Sequence, residues 1–91
     1  MDLLKNKKVI ARVKQMEQYM NDVLEVLNNC PESIKKNEDI RIKIKELENY
    51  QESGQWLFDY ECDERGELPA DLKRGILSQD ILYNLLCDIN A

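Results

Sequence analysis

The residues best equipped for chemistry crowd into one stretch. Asp59, Glu61, Asp63, Glu64 and Glu67 put five carboxylates within nine positions. Clustered carboxylate oxygens are what a hard divalent cation takes. The twelve-residue calcium loop also needs Gly at its sixth position and Glu at its twelfth. Counted from Asp59, those positions hold Glu64 and Ala70, so that template fails. On a helix, Asp59 and Asp63 share a face at i, i+4, while Glu61 points elsewhere. This leaves a weak divalent site, and a weak divalent-metal-dependent enzyme, as one alternative beside a plain exposed acidic face. Acid–base catalysis by two carboxylates would need a pocket and a raised pKa in one of them. Nothing in a chain this small and acidic points to such a cavity, so neither an enzyme nor a cofactor is expected.

Other nucleophiles and ligands are sparse. Histidine is absent, which excludes His-based triads, His general bases and His-containing zinc sites. The three cysteines, Cys30, Cys62 and Cys87, are spaced by 32 and 25 residues and match no zinc or redox signature. They read as small buried apolar residues in a reducing compartment. Lys73-Arg74-Gly75 stands just ahead of an expected helix start, where a small anion could sit. Pairing with the Asp59/Asp63 face or with Asp71 is the simpler use of those two cations. Trp56 and Tyr60 share one face of a helix and Phe58 lies on the other, which makes Phe58 the surface aromatic and an anchor for a partner protein.

Helices must position these groups. Val9, Val13, Met16, Met20, Val23, Leu27 and Cys30 alternate spacings of four and three, an a/d seam over three heptads. Ile10, Tyr19, Leu24 and Val26 widen it, as packing in a bundle requires. Asp2 is the expected cap of this helix, and Asn28-Asn29 before Pro31 its end. Ile40, Ile44, Leu47 and Tyr50 define a second helical stripe, with a break or late start near Asp39 allowed by the polar run from Lys36. Gly54 and Gly66 are stop signals. Trp56, Leu57, Tyr60 and Cys62 are expected to face inward. Ser78 is the expected cap of a last helix carrying Ile81, Leu82, Leu85, Leu86 and Ile89. No stretch alternates as a strand does. The expectation is one all-α domain over 1–91: an antiparallel helical hairpin, about 3–29 and 32–53, packed with two shorter helices, about 55–65 and 79–89.

Charge divides unevenly along this frame. The 91 residues carry a net charge of −5, yet 1–49 holds ten basic against nine acidic groups and 50–91 holds three against nine. An acidic carboxy-terminal half repels phosphate backbones. The basic amino-terminal turns, Lys5, Lys7, Lys8, Arg12 and Lys14, lack interleaved aromatics. Direct nucleic-acid binding is therefore not expected. No apolar run exceeds three residues, so no membrane span or signal-peptide core is expected either.

The carboxy-terminal half also carries a resemblance. Tyr50, Ser53-Gly54, Trp56-Leu57, Asp59-Tyr60-Glu61, Asp63-Glu64, Gly66, Leu68-Pro69, Asp71-Leu72-Lys73-Arg74-Gly75, Leu77-Ser78, Asp80 and Leu82-Tyr83 stand in a pattern. It resembles a small bacterial family, common in Firmicutes, known only as a domain of unknown function. The resemblance covers residues 50–86 closely and 9–49 as helical pattern alone. It implies a bacterial, cytoplasmic, mostly helical protein and no established activity.

The function expected is a non-enzymatic protein–protein interaction module. Its candidate surface is Phe58, Asp59, Asp63, Lys73 and Arg74. The alternative of another class is an acidic regulator or inhibitor occupying a basic nucleic-acid-binding groove of another protein. A protein partner is expected, and a homodimer through the a/d seam is left open.

Overall fold

The computed structural model describes residues 3–78 and 80–90, with side chains from Lys7 onward. Helix α1, Leu3–Asn29, sets the long axis of a body measuring 46 × 22 × 19 Å. After it come α2, Ser33–Lys36, and α3, Glu38–Glu52. Helix α4, Gln55–Glu64, a 3-10 turn, Gly75–Leu77, and α5, Ile81–Asn90, complete the order. No strand occurs among the described residues.

The punctuation is local chemistry. Cys30 N–H still reaches the Val26 carbonyl at 2.7 Å, and Pro31 then turns the chain. The stretch expected as one helix over 32–53 is two. Asn37 leaves the helical region at φ −83°, ψ 114°, and its side chain accepts from Ile40 N–H at 3.1 Å. A short amide side chain offers the backbone this alternative to continuing a helix. Glu38 and Asp39 then place negative charge in the first turn of α3.

Both glycine stops are where the pattern put them. Gly54, at φ 91°, turns the chain between α3 and α4. Gly66, at φ 73°, closes α4. There Gly66 N–H bonds the Asp63 carbonyl and Glu67 N–H bonds the Cys62 carbonyl, each at 3.0 Å. That pair of bonds satisfies two end carbonyls and needs the left-handed residue only glycine adopts cheaply. The last helix starts at Ile81, later than expected. Asn84 N–H bonds the Asp80 carbonyl at 2.8 Å, while Ser78 closes the 3-10 turn through a bond to Gly75. Asp2, the expected cap of α1, lies outside the described residues.

Helices α1 and α3 run antiparallel, as two cross-links show. Asp22 on α1 meets Lys43 on α3 at 2.9 Å, and Arg12 reaches the carboxylate that Tyr50 also holds. Moving up α1 is therefore moving down α3. The seam from Val9 to Val23 is buried within this one chain, Val13 and Val23 completely. Leu27 is only partly covered and Cys30 is exposed, so the seam fades past the overlap with α3. Leu47 and Tyr50 from α3, Ile76 from the 3-10 turn and Leu82 from α5 join it in one core. Truncating such a residue to alanine typically costs about 2–5 kcal/mol. Helix α5 packs on the 3-10 turn, and its Asn90 amide reaches Glu48 on α3 at 3.4 Å.

Candidate functional site

Helix α4 is the meeting point of the chain's polar side chains. Its centre, Asp59, is completely buried. Arg12 grips it with two donors, Nε to Oδ2 at 2.9 Å and Nη2 to Oδ1 at 2.5 Å. Tyr50 donates its hydroxyl to the same Oδ2 at 2.7 Å. A carboxylate without water needs this set: a two-pronged guanidinium and a further donor. The Asp59 hydrogen bonds hold the Arg12 pKa above its ordinary value. Burial, and then the bond to Asp59, pushes the Tyr50 hydroxyl far up, so it stays protonated as the donor.

This corrects the reading of Asp59 as part of an exposed acidic face. It lies between Trp56 and Cys62 at spacing i, i+3, i+6, in the middle of the inward stripe of α4. A carboxylate on an apolar stripe was the available signal. Its partners Arg12 and Tyr50 stand 47 and 9 positions away, and no local pattern joins them.

The other motif residues fasten the chain that follows. Trp56 donates its indole N–H to the Ile76 carbonyl at 2.8 Å and stacks on Tyr60 with ring centroids 5.1 Å apart. Ile76 N–H in turn donates to Glu17 Oε1 at 2.7 Å. Ile76 is thereby held by α1 through its N–H and by α4 through its carbonyl, two successive peptides of the 3-10 turn. Gly75 is the neighbour that permits it. A Cβ there would stand 3.2 Å from Glu17 Oε2.

Arg74 pairs within the chain. Its Nη1 stands 3.4 Å from Asp63 Oδ1, and its Nη2 donates to the Pro69 carbonyl. The two motif blocks thus form one self-paired unit through Asp63 and Arg74. Lys73 does not join them. It is exposed and borders a hollow of about 410 Å³ between α1 and the connector, with Ile10, Lys14, Glu17, Gln18 and Leu72.

The outer face of α4 is different in kind. Leu57, expected to point inward, is 51% exposed, and Phe58 beside it is 37% exposed. Asp59 and Cys62 occupy the inward positions instead. Glu61 and Glu64 are exposed on the same helix. Among the described residues no three His, Cys, Asp or Glu side chains are grouped to hold a metal ion. Only Cys62 of the three thiols is buried; Cys30 and Cys87 are exposed, against the expectation for all three. No helix of the structure is long and apolar enough to cross a membrane.

A family model described as a domain of unknown function (DUF4298) matches residues 13–91. The chain belongs to this family. The match takes in both blocks that carry the sequence resemblance, and it extends through most of α1, beyond the 50–86 stretch where that resemblance was close. No curated protein and no solved structure matches the chain. Arg12, which closes the buried cluster, stands one position ahead of the matched span.

Proposed function

We propose that this protein is a non-enzymatic interaction module that docks a partner protein on the outer face of α4. The observation that carries the reading is the pair Leu57 and Phe58, adjacent and exposed on a helix whose other face is fastened at Trp56, Asp59 and Asp63. An exposed aromatic beside an exposed aliphatic side chain, with charge at the edge, matches the apolar centre and polar rim of a protein interface. Glu61 and Glu64, exposed on the same helix, supply the charge beside the pair, while Asp63 and Arg74 brace the opposite face. Asp59 serves by holding the helix rather than by touching the partner. The groups best suited to catalysis, Asp59, Tyr50 and Arg12, are engaged with one another, which supports a non-enzymatic role.

The reading places the protein in a bacterial cytoplasm. Three free thiols fit a reducing compartment.

The test is a pull-down from bacterial lysate, repeated with a Leu57→Ala, Phe58→Ala double variant of unchanged melting temperature. A stoichiometric partner that the variant loses supports the reading. A partner retained by the variant moves the surface elsewhere on the molecule. Salt separates the acidic-regulator alternative. Capture that collapses between about 50 and about 200 mM salt indicates a basic groove on the partner, and salt-tolerant capture indicates the aromatic anchor.

A further inference from the structure

The opposite end of the molecule gathers cations around an aliphatic hollow. Two adjoining hollows, of about 500 and 490 Å³, meet at Ile34, Lys35 and Ile89 where α2, α3 and the end of α5 come together. The floor is aliphatic: Ile34 and Ile44 are buried, and Ile89 and Leu27 are half-covered. Four cations line it, Lys35, Lys36, Arg41 and Lys45. No ion pair among the described residues engages any of them. The carboxylates on the same walls are Glu32, Glu48 and Asp88. Two of these already accept bonds, Glu32 from the Cys30 thiol at 3.2 Å and Glu48 from the Asn90 amide at 3.4 Å. Four cations against three carboxylates leave the walls of this trough with a small excess of positive charge in a chain of net charge −5.

We propose that this trough binds an acidic amphipathic segment of a partner protein. The cations answer its carboxylates and the aliphatic floor answers its apolar face. Arg41 to Glu48 alone spans about 10 Å of helix, and the second hollow extends the trough around the α1–α2 turn, a length that suits a peptide better than a single small anion. A nucleic acid fits less well. No aromatic lines the trough for bases to stack on, and the acidic remainder of the molecule repels a long polyanion. The site goes beyond the α4 reading and is independent of it, because Arg12 under α4 and Leu27 at the trough are about 22 Å apart along α1.

The probe is a synthetic peptide of about 16 residues, Glu-rich, with Leu at i, i+3 and i+7. It is titrated into the isotopically labelled full chain and followed by amide NMR shifts. Shifts centred on Ile34, Lys35, Arg41, Lys45 and Ile89 are expected. An Arg41→Glu, Lys45→Glu variant should weaken binding by about tenfold or more. Phe58→Ala should leave it unchanged, which separates failure of this site from failure of the α4 surface. If charge reversal disturbs folding, Arg41→Gln, Lys45→Gln replaces it, with the same direction expected. The proposal is overturned by no shifts, by shifts elsewhere, or by equal affinity in the charge variants. Equal binding of a scrambled peptide, or tighter binding of a single-stranded oligonucleotide of equal charge, overturns it too.

Discussion

Arg12 and Asp59 stand 47 positions apart and meet in a two-pronged ion pair whose carboxylate has no exposure to solvent. Arg12 keeps 26% of its side chain in water. The pair therefore joins the amino-terminal half of α1 to α4 across the end of α3, with Tyr50 as third member.

Removing either charge should be severe. Arg12→Ala leaves a buried carboxylate with one remaining donor, and Asp59→Ala strands a guanidinium that can still turn toward water. Breaking a buried pair costs about 3–5 kcal/mol, and Arg12→Ala should lie at the upper end. For a domain of this size that lowers the melting temperature by about 15 °C or more. Asp63→Ala, which breaks a partly exposed contact at 3.4 Å, should cost under about 1 kcal/mol. Thermal melts followed by circular dichroism rank the three; equal losses would contradict the geometry.

Tyr50 should make the fold sensitive to alkali. Its folded-state pKa is raised above the ordinary value of 10 by burial first and by Asp59 second. The unfolded chain ionises at the ordinary value. Stability is then intact below about pH 10 and falls as pH rises past it, because only the unfolded state releases that proton. Phenolate absorbance should show one of the four tyrosines silent until unfolding. Tyr50→Phe should abolish the late step and, by leaving Asp59 short of a donor, cost about 1–2 kcal/mol at pH 7.

Glu17 should matter as an acceptor rather than as a charge. Its bond to Ile76 N–H needs only an oxygen, so Glu17→Gln should stay within about 1 kcal/mol of the parent. Glu17→Ala leaves the peptide N–H of the 3-10 turn without its partner and should cost about 1–3 kcal/mol. Amide hydrogen exchange at Ile76 is the direct readout, with protection kept in Gln and lost in Ala.

The thiols should react in two classes. Cys30 and Cys87 are exposed, while Cys62 is buried and its pKa is raised by that burial and by the charge of Glu67. A thiol reagent at pH 8 should label two groups quickly and the third only with denaturant. A Cys62→Ala variant should lose the slow phase alone.

Asp22 should titrate below the usual carboxyl range. The bond from Lys43, and then that from Gln18, lowers its folded-state value. Its contribution to stability is present above the unfolded value near 3.8 and is lost as pH falls through the folded one. Carboxyl NMR shifts should place Asp22 low in the parent and higher in Lys43→Met. The effect on stability is modest, since the pair is only partly buried.

What could be read from residue order was what depends on near neighbours. The apolar spacing of α1 and α3 and the glycine stops at Gly54 and Gly66 act within one helical turn, where bonds reach only three or four residues, whereas the polar run from Lys36 only allowed a break near Asp39 and did not place it at Asn37. Tertiary structure decided which polar groups are inside. Asp59 and Asp63 look alike in sequence, four apart on one helix, yet one is sealed and the other lies at the edge. The difference is the arrival of Arg12 and Tyr50, brought by the antiparallel packing of α1 on α3. Likewise Leu57 faces out because Asp59 takes the inward position, and it can do so only where a guanidinium from a distant helix replaces the water it gives up.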